Sequence, residues 1–308
     1  MIWGRAGRRL AGAVGVVLGV ALLTFLLVHL IPGDPVELML GESARPADRA
    51  ALQASLGLDR PVAVQLADQF ARLARLDLGT SLYSRRPVAE LLAERFPATL
   101  ELAAAALAIA VVVALPLGML AARRRGRAAD ATAMGLALLG QSVPSFWLGP
   151  LLILVFSVWL GWTPVSGREG LASLILPAVT LGTGMAAVLA RMVRGSLLEV
   201  FGEDWLRTAR AKGLPEWAVL WRHALPNAAL PVVTVLGLQA GALLAGAVIT
   251  ETVFAWPGVG SLLVEAIQRR DFPVVQGCVL LVSVCYVAVN ALTDLAYAWL
   301  DPRTGIAT

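Results

Sequence analysis

Apolar and polar stretches alternate along the chain at the scale of a membrane crossing. Runs dominated by Leu, Val, Ala and Ile cover about 10–31, 98–121, 131–160, 171–190, 230–250 and 274–300. About 20 such residues in helical form cross a hydrocarbon core of about 30 Å. The pattern therefore predicts about six transmembrane helices and no sheet. Pro144 and Pro150 interrupt the third run, which predicts a kink or a broken helix there. Two polar stretches exceed what a turn needs. Residues 32–97 carry clusters of Pro, Gly and Asp, and residues 191–229 are the most polar part of the second half. The expected organisation is a first helix over 1–31, an external region over 32–97, and a five-helix core over 98–308.

Composition reinforces the membrane reading. Of 308 residues, 58% are hydrophobic and 15% charged, against roughly 25% charged in a soluble domain. The net charge of +4 is explained by arginines flanking the spans, so no nucleic-acid partner is implied. Lys212 is the only lysine and lies in Ala-Lys-Gly, so the chain has no Gly-Lys-Ser/Thr phosphate loop. Any ATP and Mg belong to another subunit. Cys278 and Cys285 are seven apart in one apolar run, about 10 Å along a helix and beyond disulfide reach. His29 and His223 are isolated, and no metal-ligand spacing appears.

Basic residues set the expected orientation. Arg5, Arg8 and Arg9 precede the first run, which lacks a cleavage pattern and reads as an uncleaved helix. With the N-terminus inside, Arg123, Arg124, Arg125 and Arg127, the six basic residues of 191–229, and Arg303 all fall on the cytoplasmic side. The short outer loops hold Arg168, Arg269 and Arg270. Both termini are expected in the cytoplasm.

Several polar or small residues within or beside the runs have two readings. Glu101, Glu251 and Asp294 are costly in lipid, which makes them either structural partners or functional groups. Gln141 and Ser142, beside the Pro144 break with Phe146 just after it, are candidates to line a pore, as are Gln239 and Asn290. Gly237, Gly241 and Ala245 form a small-xxx-small ridge, suited to packing within the chain or to a seam with a second copy of the fold. In 254–273, Phe254, Trp256, Pro257 and Gly258 are candidates for an outer gate or a receptor contact.

The 191–229 stretch suits short amphipathic helices, with Leu206, Ala209, Leu214 and Trp217 as their apolar residues and a break at Gly213-Leu214-Pro215. Physics alone leaves two readings, a solvated connector or a surface helix that fits a groove on a soluble partner. Ala209, Gly213, Leu225 and Pro226 stand at the spacing of the EAA loop of ABC importer permeases. Arg207-Thr208-Ala209-Arg210-Ala211-Lys212-Gly213 departs from the general form and resembles the dipeptide, oligopeptide and nickel branch. Pro32-Gly33-Asp34-Pro35, Asp77-Leu78-Gly79-Thr80-Ser81, Pro144-Ser145-Phe146-Trp147-Leu148-Gly149, Phe254-Ala255-Trp256-Pro257-Gly258 and Asp301-Pro302-Arg303 resemble the same branch, as does Leu56-Gly57-Leu58-Asp59-Arg60-Pro61.

That resemblance implies an all-α, type I ABC importer permease of the inner membrane, without catalysis of its own. A helix around 203–213 is implied to dock into an ATPase subunit, involving Asp204, Leu206, Arg207, Thr208, Ala209, Arg210, Lys212, Gly213, Leu214, Leu225 and Pro226. Apolar burial of Leu206, Ala209 and Leu214 is expected to carry that docking. The implied partners are a second, similar permease chain, two ATP-binding subunits or one fused, and an extracytoplasmic solute-binding protein. A di- or oligopeptide is the expected solute, with nickel or another small solute as the alternative within the family. A secondary transporter is the alternative from another class, and the absence of visible paired repeats weighs against it.

Overall fold

The computed structural model describes residues 2–30 and 59–300, together with Arg45, Ala47 and Gln53. The Pro32-Gly33-Asp34-Pro35 and Asp301-Pro302-Arg303 motifs lie outside the described residues, as do Leu56-Gly57-Leu58 and the side chains of Arg5, Arg8 and Arg9. The described chain is mostly helical, with one isolated bridge between Thr80 and Pro87. Its helices are α1 (Ile2–Leu30), α2 (Val62–Ala74), α3 (Val88–Arg123), α4 (Ala128–Ser142), α5 (Ser145–Leu152), α6 (Leu171–Phe201), α7 (Asp204–Ala211), α8 (Glu216–Ala218), α9 (Leu225–Val253), α10 (Val259–Gln268) and α11 (Phe272–Leu300). Wider π turns continue α5 over Ile153–Trp159 and join α8 to α9 over Val219–Ala224.

Four helices are long and apolar enough to cross a membrane: Val88–Arg123, Leu171–Phe201, Glu216–Leu243 and Phe272–Trp299. The pair Ala128–Ser142 and Ser145–Trp159, bent by 99°, makes a fifth crossing if taken as one span. In α1, 29 residues span about 43 Å, and Ala11–Leu26 is apolar apart from Thr24, whose hydroxyl donates to Val20 O at 2.9 Å. The break expected in the third run falls at Val143-Pro144, where α4 stops and Pro144 caps α5. Pro150 sits inside α5 without ending it.

The expected boundaries need correction at three places. The first core helix begins at Val88 and not at 98, so the region up to 97 includes its first turns. At 36 residues α3 is about 54 Å long, well beyond the hydrocarbon thickness. Likewise α6 runs to Phe201, and α9 begins at Leu225. The polar connector is therefore 202–224, shorter than the 191–229 stretch. Hydropathy reports where a helix meets lipid, not where its hydrogen bonding stops.

The chain divides into two compact units: residues up to Phe96 with Leu262–Val284, and Pro97–Ser261 with the residues from Cys285 on. In the first, Asp271 is buried at the start of α11 and accepts hydrogen bonds from Ser81 Oγ, from Leu82 N at 3.0 Å and from Tyr83 N. Arg269 lies over the Tyr83 ring at 4.1 Å. A Cβ on Gly277 would lie 2.5 Å from Val88 Cγ1, so α11 and α3 approach closely there. Arg86 pairs with Glu94, which raises the guanidinium pKa above its usual range through their hydrogen bond and then their charges.

In the second unit α6 is the central element. Ala114, Met119 and Ala122 of α3 pack with Leu189, Ala190, Val193 and Leu197 of α6, and Ala228 and Val232 of α9 join them. Small residues bring the backbones together. A Cβ on Gly118 would meet Ala190 O at 2.7 Å, and one on Gly182 would meet Ala106 O at 2.9 Å. Such close contact is what holds helices together where lipid removes the hydrophobic drive between them. Other large apolar side chains point outward: Val112, Leu136, Leu139, Val158, Leu238, Leu292 and Leu295 are all exposed. Gly237 and Gly241 of α9 face Thr293 and Tyr286 of α11, where any Cβ would clash at 2.2 and 2.7 Å. For these two glycines the ridge packs within the chain.

Candidate functional site

The connector between α6 and α9 starts at Gly202, where the last carbonyls of α6 are taken by turn hydrogen bonds. Asp204 opens α7 in its first turn, a favourable place for a carboxylate against the helix dipole, and it pairs with Arg207 at 3.2 Å. Thr208 Oγ1 donates to Asp204 O at 3.1 Å. After α7 the chain turns at Gly213, whose φ of +78° is left-handed and strained for any residue with a Cβ. Pro215 then caps α8, and Arg210 reaches across the turn to Glu216 at 2.8 Å. Pro226 stands in the first turn of α9, directly after the π turns.

The expectation that Leu206 and Ala209 carry docking is corrected here. Leu206 is 0% exposed and packs in the same cluster as Val193, Leu197 and Val219, and Ala209 is buried as well. An eight-residue helix has too little propensity to stand alone in water, and its apolar stripe is held by its own chain. The outward surface is different. Trp205, Leu214, Trp217 and Trp221 are exposed, as are Arg207, Thr208, Arg210 and Lys212 of the same segment. Leu225 is half-buried and Pro226 exposed. Trp205 and Trp221 are what the sequence reading passed over, Trp217 being read as part of the apolar stripe. Trp217 and Trp221, four apart, were the available signal.

The pore candidates separate. Gln141, Ser142 and Phe146 come together as exposed residues at the α4–α5 bend, with Ser142 Oγ donating to Leu138 O at 2.8 Å. Gln239 differs, because its Nε2 donates to Met185 O at 3.0 Å and ties α9 to α6. Asn290 is half-buried on α11.

The gate or receptor residues are also corrected. Phe254, Trp256 and Gly258 are buried, and only Pro257 keeps partial exposure. Trp256 is 0% exposed and its Nε1 donates to Ala98 O at 2.8 Å. Ala255 takes a left-handed φ of +47° just before it. The buried Glu251 carboxyl accepts from Thr99 Oγ1 at 2.7 Å and from Ser261 N at 2.9 Å, while Thr99 Oγ1 accepts from Val259 N at 2.8 Å. A Cβ on Gly258 would lie 2.1 Å from Glu251 Oε1. Large buried residues here fill the chain's own core, and the sequence motif gave no direction for them.

Two further polar arrangements join distant residues, and only the one at Glu101 falls on a residue read as a structural partner. Asp130, in the first turn of α4, is gripped by Arg194 of α6 through Nε at 2.7 Å and the second guanidinium nitrogen at 2.8 Å, and it accepts from Gly126 N at 3.0 Å. Glu101 pairs with Arg168 at 2.6 Å. Cys278 is buried and Cys285 half-buried, both as free thiols on α11.

Comparison with known proteins places this geometry. Residues 114–306 match the model for "Binding-protein-dependent transport system inner membrane component", and residues 6–103 match the model of its N-terminal region. The dipeptide transport system permease protein DppB of Escherichia coli K12 is 48% identical over 96% of this chain and 97% of its own. The di/tripeptide transport system permease protein DppB of Pseudomonas aeruginosa is 46% identical with the same coverage. Among solved structures, a chain of the inward-facing MetNI methionine ABC transporter aligns with a TM-score of 0.58 and 22% identity, over 68% of this chain and 96% of that one. A chain of an amino acid ABC transporter aligns with a TM-score of 0.52. These structural matches establish the shared fold of the helical core.

Proposed function

The chain belongs to the family of binding-protein-dependent transport system inner membrane components, and from that premise we propose that it is one permease of a paired pore importing di- or oligopeptides. The names and high identity of the peptide-permease relatives support the choice of peptide over nickel. In this reading the termini are cytoplasmic, as the distribution of arginines favours. A second permease chain of similar fold completes the pore. ATP and Mg are bound by two ATPase subunits or one fused pair, and a solute-binding protein delivers the peptide from outside. The chain performs no covalent chemistry. It converts a rigid-body movement of the ATPases into a change of access.

The observation that carries the reading is the construction of 202–224. Leu206 and Ala209 pin α7 to the core next to α6, while Gly213 swings the chain so that Trp205, Arg207, Lys212, Leu214 and Trp217 are left outward. A push on that outward face is passed to α6, because α7 shares its apolar cluster. Exposed ion pairs give about 0–1 kcal/mol each, so apolar contact by the tryptophans supplies most of the docking energy.

The test is uptake by the complete complex in proteoliposomes, with labelled dipeptide and nickel offered separately. ATP-dependent accumulation of the dipeptide is expected. Accumulation of nickel alone would select the other solute, and uptake without ATP hydrolysis would overturn the importer reading. Cysteines introduced at Arg60 and Arg210 are expected to be labelled from opposite sides; labelling from one side refutes the topology.

A further inference from the structure

The turn between α3 and α4 places Arg123, Arg124, Arg125 and Arg127 within five residues, all exposed. It begins at the last residue of α3, a 36-residue helix that qualifies as a membrane span, and Gly126 turns the chain at a φ of +74°. Only 124–127 separate α3 from α4, itself the first half of the broken crossing. The four guanidinia thus follow directly on a helix long and apolar enough to cross a membrane. The nearest acidic side chain offsets them only in part, Arg125 alone lying close enough to feel its charge. Asp130 is buried, and its two oxygens are occupied by Arg194 and by Gly126 N. Among the described residues, no carboxylate lies within ion-pair distance of any of the four.

We infer that this turn is a binding site for the phosphate headgroup of an anionic phospholipid. Guanidinium presents a planar fork that matches phosphate oxygens in a bidentate way, and its apolar stem tolerates the interfacial zone. The contrast with 202–224 favours lipid over a protein partner. That segment has 23 residues with which to project, and it carries exposed tryptophans beside mixed charges. The α3–α4 turn is short, has no exposed aromatic residue and is of one sign. Clusters of basic residues immediately next to a membrane span attract anionic lipid at about 1 kcal/mol each, about a fivefold preference per residue.

The experiment places the full-length chain in bilayers of phosphatidylcholine with phosphatidylglycerol as the minor component, and counts the lipids retained by native mass spectrometry. The wild type is expected to retain phosphatidylglycerol preferentially. The variant R124Q/R125Q is expected to lower that preference about 25-fold, whereas R75Q/R85Q, which removes two exposed arginines elsewhere, leaves it unchanged. Should the double variant fail to insert, R125Q alone is read, with an expected fivefold fall. An unchanged preference in these variants, or an equal fall in R75Q/R85Q, overturns the site. Displacement of the lipid by inorganic phosphate overturns the assignment to lipid. Loss of ATPase-subunit binding without loss of lipid assigns the turn to that subunit and overturns it too. The assay does not involve transport, so its failure leaves the permease reading intact.

Discussion

At the C-terminal end of α9, most polar groups turn inward and satisfy one another: Glu251 receives Thr99 and Ser261 N, Thr99 receives Val259 N, and Trp256 donates to Ala98 O, while the buried Thr250 hydroxyl beside them has no partner among the described residues. At its N-terminal end the polar groups are exposed, and the apolar ones divide between an inward set, Leu206 and Ala209, and an outward set, Trp205, Trp217 and Trp221. The Glu251–Thr99 pairing favours one geometry, because any shift strands its donors. A helix held by an apolar stripe and local ion pairs, with uncovered tryptophans, has surface left for something outside the chain. The comparison teaches that the two long connections flanking α9 have different tasks: one closes the fold, and the other presents it.

The largest effect is expected where that network is broken. Glu251→Ala strands the buried Thr99 hydroxyl and the half-buried Ser261 N, at about 1–3 kcal/mol for a buried group and less for the second, so more than about 3 kcal/mol of stability is lost. Thermal unfolding of the purified chain measures it, and a change within error would mean that the closed end is not held by polar pairing. Leu206→Ala comes next. It removes a fully buried side chain from the cluster around Val193 and Leu197, and about 3 kcal/mol is expected. The loss must appear in the chain without its partners; a loss seen only in the complex would return Leu206 to the docking surface. The smallest effect on stability is expected from Trp217→Ala with Trp221→Ala. Both are exposed, so the change stays within about 0.5 kcal/mol per site, while co-purification of the ATPase subunit falls. Retained co-purification would deny the presenting role.

Much of this architecture was legible because lipid imposes a simple code. Apolar runs revealed the crossings, and Pro144 revealed the break, though not its 99° angle. Helix ends were misjudged because α3 and α6 continue well past the hydrocarbon, at Val88 and Phe201. The elbow was legible as a motif and as a left-handed glycine at 213. The direction of its side chains was not, because the amphipathic pattern of α7 cannot say whether its apolar stripe meets its own chain or another. Trp256 was misread for the same reason. The pairings Asp130–Arg194 and Thr99–Glu251 join positions 64 and 152 residues apart, and such distances leave no local trace in a single sequence.

The central claim, that 202–224 is the handle through which ATP hydrolysis moves the pore, is tested most directly by Gly213→Val in the reconstituted complex. A β-branched residue is strained at a φ of +78°, so the turn must open and shift α7. With ATP hydrolysis and peptide uptake measured together, hydrolysis is expected to persist while uptake is lost. Wild-type uptake per ATP hydrolysed, from a variant that assembles normally, would contradict it.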